Sequence, residues 1–222
     1  MNIFSFLLST LFPESCVFCK QEGEVFCESC FLLKKNTFQV CPLCLKPSLF
    51  GKVCCKKRTA LSGLFVFSSY DHTPELVTLI HRMKYTSARF IAKRMGKILF
   101  SSLFQENPEF LEYEVCAVPL HWKKLLERGY NQSKILASGA FKKPLSLLKR
   151  NIHTESQTHL SKKERLLNVK DAFSCPQKIS GVSRVLLVDD VASSLATLEE
   201  CAKVLKKNGV KEVFGVVLAR NR

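Results

Sequence analysis

Val185-Leu186-Leu187-Val188-Asp189-Asp190-Val191-Ala192-Ser193-Ser194-Leu195-Ala196-Thr197 is the stretch on which the fold turns. Four apolar residues deliver two acids, and small hydroxyl residues then open a helical pattern that runs to about residue 207 and stops at Asn208-Gly209. An unbroken apolar run bounded this way reads as a strand buried on both faces, the mark of a parallel sheet. Acids at the carboxyl end of such a strand, followed by a helix N-terminus, suit a sugar phosphate. Backbone N–H groups receive the phosphate and carboxylates accept hydrogen bonds from ribose hydroxyls. An ordinary strand-to-helix turn capped by Ser193 or Ser194 fits the same letters.

Working outward, residues 64–70 (LFVFSSY) are strand-like, and Thr73-Pro74-Glu75 caps and opens a helix to about residue 84. Residues 88–104 predict a second helix, 114–118 a short strand ended by Pro119, 131–140 a further helix and 144–148 another strand. Ser161-Lys162-Lys163-Glu164 is a capping box for a helix to about residue 169, and residues 213–218 close the chain as a buried strand. Strands alternating with helices predict an α/β domain with a mostly parallel sheet covered on both faces.

The chain has 222 residues, 46% of them apolar, enough for one α/β domain and a small appendage. Its net charge of +15 favours polyanionic partners. The excess is local: residues 120–170 hold twelve Lys or Arg against Glu127, Glu155 and Glu164. Within it, Trp122, Tyr130 and His121 stand beside Lys123, Lys124 and Arg128, with Lys162, Lys163 and Arg165 further on. Aromatic rings that stack on bases and cations that follow the backbone are what single-stranded DNA requires. A solvated basic face, with Trp122 in the core, is the plainer alternative.

Eight of the eleven cysteines lie between residues 16 and 55. No basic n-region or small-residue cleavage site opens the chain, so metal binding in the cytoplasm is expected over a secreted disulfide framework. Cys16-x-x-Cys19 and Cys27-x-x-Cys30 each put two thiolates on one side of a turn, and facing each other they complete a tetrahedral zinc site of the closed, structural kind. Cys41-x-x-Cys44 with the adjacent Cys54 and Cys55 gives a second candidate, although neighbouring cysteines meet one tetrahedral metal awkwardly. Pairing Cys16 and Cys19 with Cys41 and Cys44 is the alternative. Residues 1–12 are amphipathic at helical spacing, a segment that docks either on the protein itself or on a membrane surface. The chain thus divides into that segment, a cysteine module over 13–60 and an α/β domain over 61–222.

The loop that opened this reading resembles that of the type I phosphoribosyltransferases. Asp189 and Asp190 match its acids, Ser193 and Ser194 stand for its threonines, Thr197 matches its last threonine, and Leu195 departs from its glycine. Val118-Pro119-Leu120-His121 with Arg128-Gly129-Tyr130-Asn131-Gln132-Ser133 resembles the ComF competence family in particular. So do Leu79-Ile80-His81-Arg82-Met83-Lys84-Tyr85, and the run of Thr154, Gln157, Leu160, Arg165, Asn168, Val169, Ala172 and Phe173. The resemblance implies a zinc module before a phosphoribosyltransferase-like domain. It also implies handling of incoming single-stranded DNA at the cytoplasmic side of the inner membrane, with competence helicase and recombination proteins as partners. The alternative that it implies is an enzyme, with Mg²⁺-phosphoribosyl pyrophosphate held by Asp189, Asp190, Ser193, Ser194, Leu195, Ala196 and Thr197 and with Arg128 on the pyrophosphate. Leu195 in place of the glycine tilts the reading towards the DNA-handling adaptor. No motif names an acceptor.

Overall fold

In the computed structural model, residues 14–33, 37–56, 58–70, 73–85, 88–152 and 169–220 are described. The amphipathic start, the Ser161 capping box and the candidates Lys162, Lys163 and Arg165 lie outside them.

Among the described residues, seven strands are present. They are β1 (Phe38–Val40), β2 (Gly63–Ser69), β3 (Glu114–Ala117), β4 (Lys149–Arg150), β5 (Phe173–Ser174), β6 (Arg184–Ala192) and β7 (Glu212–Arg220). Five of them form one sheet in the order β1-β2-β7-β6-β3, parallel except for β1. β4 and β5 make a small antiparallel ribbon. The mixed α/β, mostly parallel architecture expected from the alternating pattern is what the chain adopts. The strand anticipated over 144–148 reduces to one bridge, Cys116 to Leu145.

Alternation along the strands sends side chains to two separate cores. Phe65, Phe67, Leu186, Val188, Phe214 and Val216 point to one face, where helices α2 (Pro74–Tyr85) and α3 (Arg89–Glu106) lie. Leu64, Val66, Val185, Leu187, Val213 and Val217 point to the other, where α6 (Ala196–Lys207) packs through Leu198, Cys201, Ala202 and Leu205.

The cysteine-rich region is divided between these two faces. Cys16, Val25, Phe26 and Phe31, the last on α1 (Glu28–Leu33), belong to the first core, with Phe31 stacked on Phe67 at 5.0 Å between centroids. Val40, the residue before Cys41, lies in the second core and pairs with Leu64 through β1.

Two short helices follow β3 and complete the site. α4 (Trp122–Arg128) is capped by His121, whose Nδ1 accepts from Lys123 N at 3.3 Å, and it ends at Gly129 with φ 70°, a conformation that favours glycine. α5 (Gln132–Ala137) starts at Asn131, whose Oδ1 accepts from the N–H groups of Ser133 and Lys134. α5 packs on α3 with backbones nearly touching. A Cβ on Gly96 would lie 2.2 Å from Leu136 O, and one on Gly139 equally close to Gly96 C.

Candidate functional site

β3 stops at Ala117, where Pro119 removes the next backbone donor but one, whereas β6 runs on to Ala192. The end of β6 that runs on past β3 floors a cavity of about 190 Å³. Asp189, Asp190 and Thr197 line it from the loop side, and Lys84, Lys124, Arg128 and Arg150 surround it. Cations around such a cavity can attract an anion, and carboxylates on its floor can accept hydrogen bonds from hydroxyls.

The two acids are held differently. Asp190 Oδ2 accepts from Lys84 Nζ at 3.0 Å and Gln132 Nε2 at 3.2 Å, while Oδ1 accepts from Val191 N at 2.7 Å. Burial opposes its charge most strongly, but Lys84, together with the hydrogen bonds from Gln132 and Val191 N, holds the carboxyl below its usual range. Asp189 Oδ1 accepts from Ser133 Oγ and from Asp190 N, both at 2.9 Å. Removal from water, with the Asp190 charge beside it, pushes Asp189 up to about 7. Lys124 is lowered, chiefly by burial and then by the charges of Arg150 and Arg128, a crowding of cations that an anion would relieve.

This geometry explains the Arg128-to-Ser133 motif residue by residue. Gly129 ends α4, and its carbonyl receives Arg89 at 2.9 Å. Tyr130 is buried and donates to Met83 O, with Arg89 over its ring. Asn131 caps α5 and donates to Val118 O at 2.9 Å. Gln132 and Ser133 then reach the two acids. Lys84, Gln132 and Ser133 stand in the sequence motifs with nothing local to show this role, and no local pattern marks Arg150 at all.

The expectation that Tyr130 and His121 stack on bases is corrected, since both are buried, Tyr130 as an anchor and His121 as a helix cap. Trp122 is not a core residue, for 59% of it is exposed. Lys123 stands 5.8 Å from its ring centroid, while Lys124 and Arg128, four residues apart on α4, turn into the cavity.

Leu195 has φ 60° and ψ −1°, the left-handed conformation usual for glycine. The side chain changes while the backbone path that a glycine would take is retained. Ser193, Ser194, Leu195 and Ala196 line a second cavity, of about 270 Å³, on the side of the Cys41–Cys44 turn.

The cysteines form two groups of four, Cys16, Cys19, Cys27, Cys30 and Cys41, Cys44, Cys54, Cys55, with all Sγ atoms in a group within 4.8 Å of one another. The cross-module pairing is therefore excluded, and the adjacent Cys54 and Cys55 do serve one centre. Sγ separations of 3.7 Å (Cys19–Cys27), 3.6 Å (Cys44–Cys54) and 3.9 Å (Cys41–Cys55) fit a tetrahedron with metal–sulfur bonds of about 2.3 Å, whose edges are about 3.8 Å.

The two turns repeat one design. Lys20 and Leu45, each following its second cysteine, are left-handed. Cys16 and Cys41 each accept the N–H four residues on, at 2.9 and 2.8 Å, and the Sγ of each accepts from Cys27 N or Cys54 N. Burial works against the Cys16 and Cys41 thiolates, yet the backbone N–H groups of Cys19, Cys27 and Phe18 around the first, and of Cys44, Cys54 and Leu43 around the second, bring both down to about 6. Hydrogen bonding to neighbouring thiols pushes Cys27 and Cys55 up to about 12. All four sulfurs of a group carry charge together only around a cation, so both groups are able to hold a metal.

The fold and its site thus define a protein with a mostly parallel sheet, a cavity lined by cations and two aspartates at the strand ends, and two groups of four cysteines able to hold a metal. No family model matches the chain. It is 30% identical over 177 residues to competence protein F of Haemophilus influenzae, covering 75% of this chain and 76% of that one. It is 29% identical over 204 residues to the DNA utilization protein YhgH of Salmonella typhimurium (84% and 86% covered). Competence protein ComFC of Bacillus subtilis is 28% identical over 203 residues (87% and 82%). The chain belongs to the ComF family. Among the described residues no helix is long and apolar enough to cross a membrane.

Proposed function

We propose that this protein handles single-stranded DNA during competence and DNA utilization, the roles in the names of its relatives. The carrying observation is α4: none of its residues is buried, Trp122 and Lys123 face outward, and Lys124 and Arg128 line the cavity over Asp189 and Asp190. A base stacks on Trp122 while backbone phosphates meet Lys123, Lys124 and Arg128. The cavity takes a sugar phosphate on a phosphoribosyltransferase-like scaffold, its hydroxyls at Asp189, its phosphate at the loop that ends in Thr197, and a second anionic group, where there is one, on Arg128, Lys124 and Arg150. Each four-cysteine group holds a structural zinc ion, with no open coordination position for chemistry. The protein works in the cytoplasm beside the inner membrane, where competence helicase and recombination proteins meet the same strand.

The left-handed Leu195 favours a second reading, a phosphoribosyltransferase that uses Mg²⁺-phosphoribosyl pyrophosphate, because the loop backbone keeps its phosphate-binding path.

Fluorescence anisotropy with a labelled oligothymidine over a salt series tests the DNA reading. Replacing Lys123, Lys124 and Arg128 together reduces the slope of log K on log salt by ~0.7 for each phosphate that is no longer neutralised. Trp122→Ala weakens binding by ~1–3 kcal/mol per stacked base and leaves the slope unchanged. Parental affinity and slope in the triple variant would remove this surface as the site.

A further inference from the structure

We infer that the second cysteine centre, and not the first, positions the phosphate loop, so that metal at Cys41, Cys44, Cys54 and Cys55 is linked to what the loop binds. The connection is continuous. Four residues after Cys55, the chain clamps onto α6: Glu199 accepts from Ala60 N at 2.8 Å, from Leu61 N at 3.4 Å and from the Thr59 hydroxyl. Glu199 lies in the first turn of α6, and its own N–H donates to Leu195 O at 2.8 Å. A single carboxylate therefore joins the segment leaving the cysteines to the helix turn whose opening residue is held left-handed.

The other end of the centre reaches the same loop. Leu43, within the Cys41–Cys44 turn, and Leu45, just after it, line the same cavity as Ser193, Ser194 and Leu195. Leu195 packs against the second core, which contains Val40 and Leu61 on either side of the centre. The first centre has no part in this, because Cys16, Cys27 and Cys30 pack in the core on the opposite face of the sheet.

A left-handed leucine is an unfavourable conformer that persists only where its surroundings enforce it. The second centre is that enforcement. Its metal fixes both segments, the 41–45 turn and the 58–61 exit, against the loop. By linkage, a ligand in the loop raises the metal affinity of this centre by the factor by which the metal raises the ligand's. The inference rests on the sugar-phosphate reading only for the identity of that ligand.

Hydrogen exchange over residues 193–201, measured with no ligand on the full chain, tests the positioning itself. Cys54→Ser/Cys55→Ser should lose one metal ion per chain and exchange roughly tenfold faster there, whereas Cys27→Ser/Cys30→Ser should lose one ion and leave this peptide as in the parent. Should the first variant aggregate, Glu199→Ala keeps all eight cysteines and must show the same acceleration. Unchanged exchange in a Cys54/Cys55 variant that has lost its metal, or in Glu199→Ala, overturns the inference, as does equal acceleration in the Cys27/Cys30 variant. Titrating the parent with ribose 5-phosphate is a separate measurement. Its failure would end the sugar-phosphate reading and leave the exchange result standing.

Discussion

Lys84 Nζ lies 3.0 Å from Asp190 Oδ2, with only 21% and 8% of the two side chains exposed. This pair ties α2 to the end of β6 and fixes which of the two acids keeps its charge. Breaking a largely buried pair from one side leaves the other charge unpartnered, at a cost of about 3–5 kcal/mol. Lys84→Met should therefore lower unfolding stability by about that amount in urea melts, and adding Asp190→Asn should recover most of it. A single variant as stable as the parent would show that Asp190 finds its stabilisation elsewhere.

Asp189 responds to pH in the opposite sense. Its carboxyl rises to about 7 in the folded protein, so the fold holds a proton that the unfolded chain releases near the ordinary carboxylate value. That contribution is full below about pH 4 and is lost as pH rises to about 7. Asp189→Asn keeps the acceptor for Ser133 and should flatten the decline, with its gain over the parent greatest near pH 8 and absent near pH 4. Urea melts at both pH values decide the matter, and a gain of equal size at both would mean that Asp189 does not hold the proton.

Leu195→Gly removes both a side chain at the phosphate loop and a left-handed conformation that costs a non-glycine residue about 1–2 kcal/mol. The lost apolar packing offsets the relief, so stability should stay within about 1 kcal/mol of the parent. Binding of ribose 5-phosphate, measured by calorimetry, should tighten. Equal or weaker binding would clear the leucine side chain of obstructing the loop.

Gly96 and Gly139 let α3 and α5 meet backbone to backbone. Gly96→Ala places a Cβ 2.2 Å from Leu136 O, so α3 and α5 have to part, and α5 carries Gln132 and Ser133, which reach the acids. We expect a loss of about 1–3 kcal/mol and, with it, weaker ribose 5-phosphate binding. A variant as stable as the parent would show that the two helices part without cost.

Metal analysis of protein purified without chelators should find two zinc ions per chain, one for each group of four cysteines. Removing them should unfold the segments around both centres, since binding energy at such sites is folding energy. Fewer than two ions at full occupancy would show that one group stays as free thiols.

The sequence by itself determined what depends on neighbours along the chain. The apolar run before Asp189 had to be a buried strand, Thr73-Pro74 and Asn208-Gly209 punctuated helices close to where α2 and α6 begin and end, and each C-x-x-C turn brought two sulfurs together. Local rules let Ser193 and Ser194 open α6, whereas it begins at Ala196, because Leu195 ahead of it takes a conformation that a leucine ordinarily avoids. Only the tertiary structure decided what depends on segments far apart. It chose the pairing of the cysteines, since any two turns satisfy a tetrahedron until the sheet places them on opposite faces. It buried Tyr130 and His121 while leaving Trp122 in water, and it brought Lys84, Gln132, Ser133 and Arg150 to two aspartates that lie up to 106 residues away from them in the chain. A charge or hydrogen bond acts over a few ångströms of space, whatever the distance along the chain, so that convergence becomes visible only once the sheet has formed.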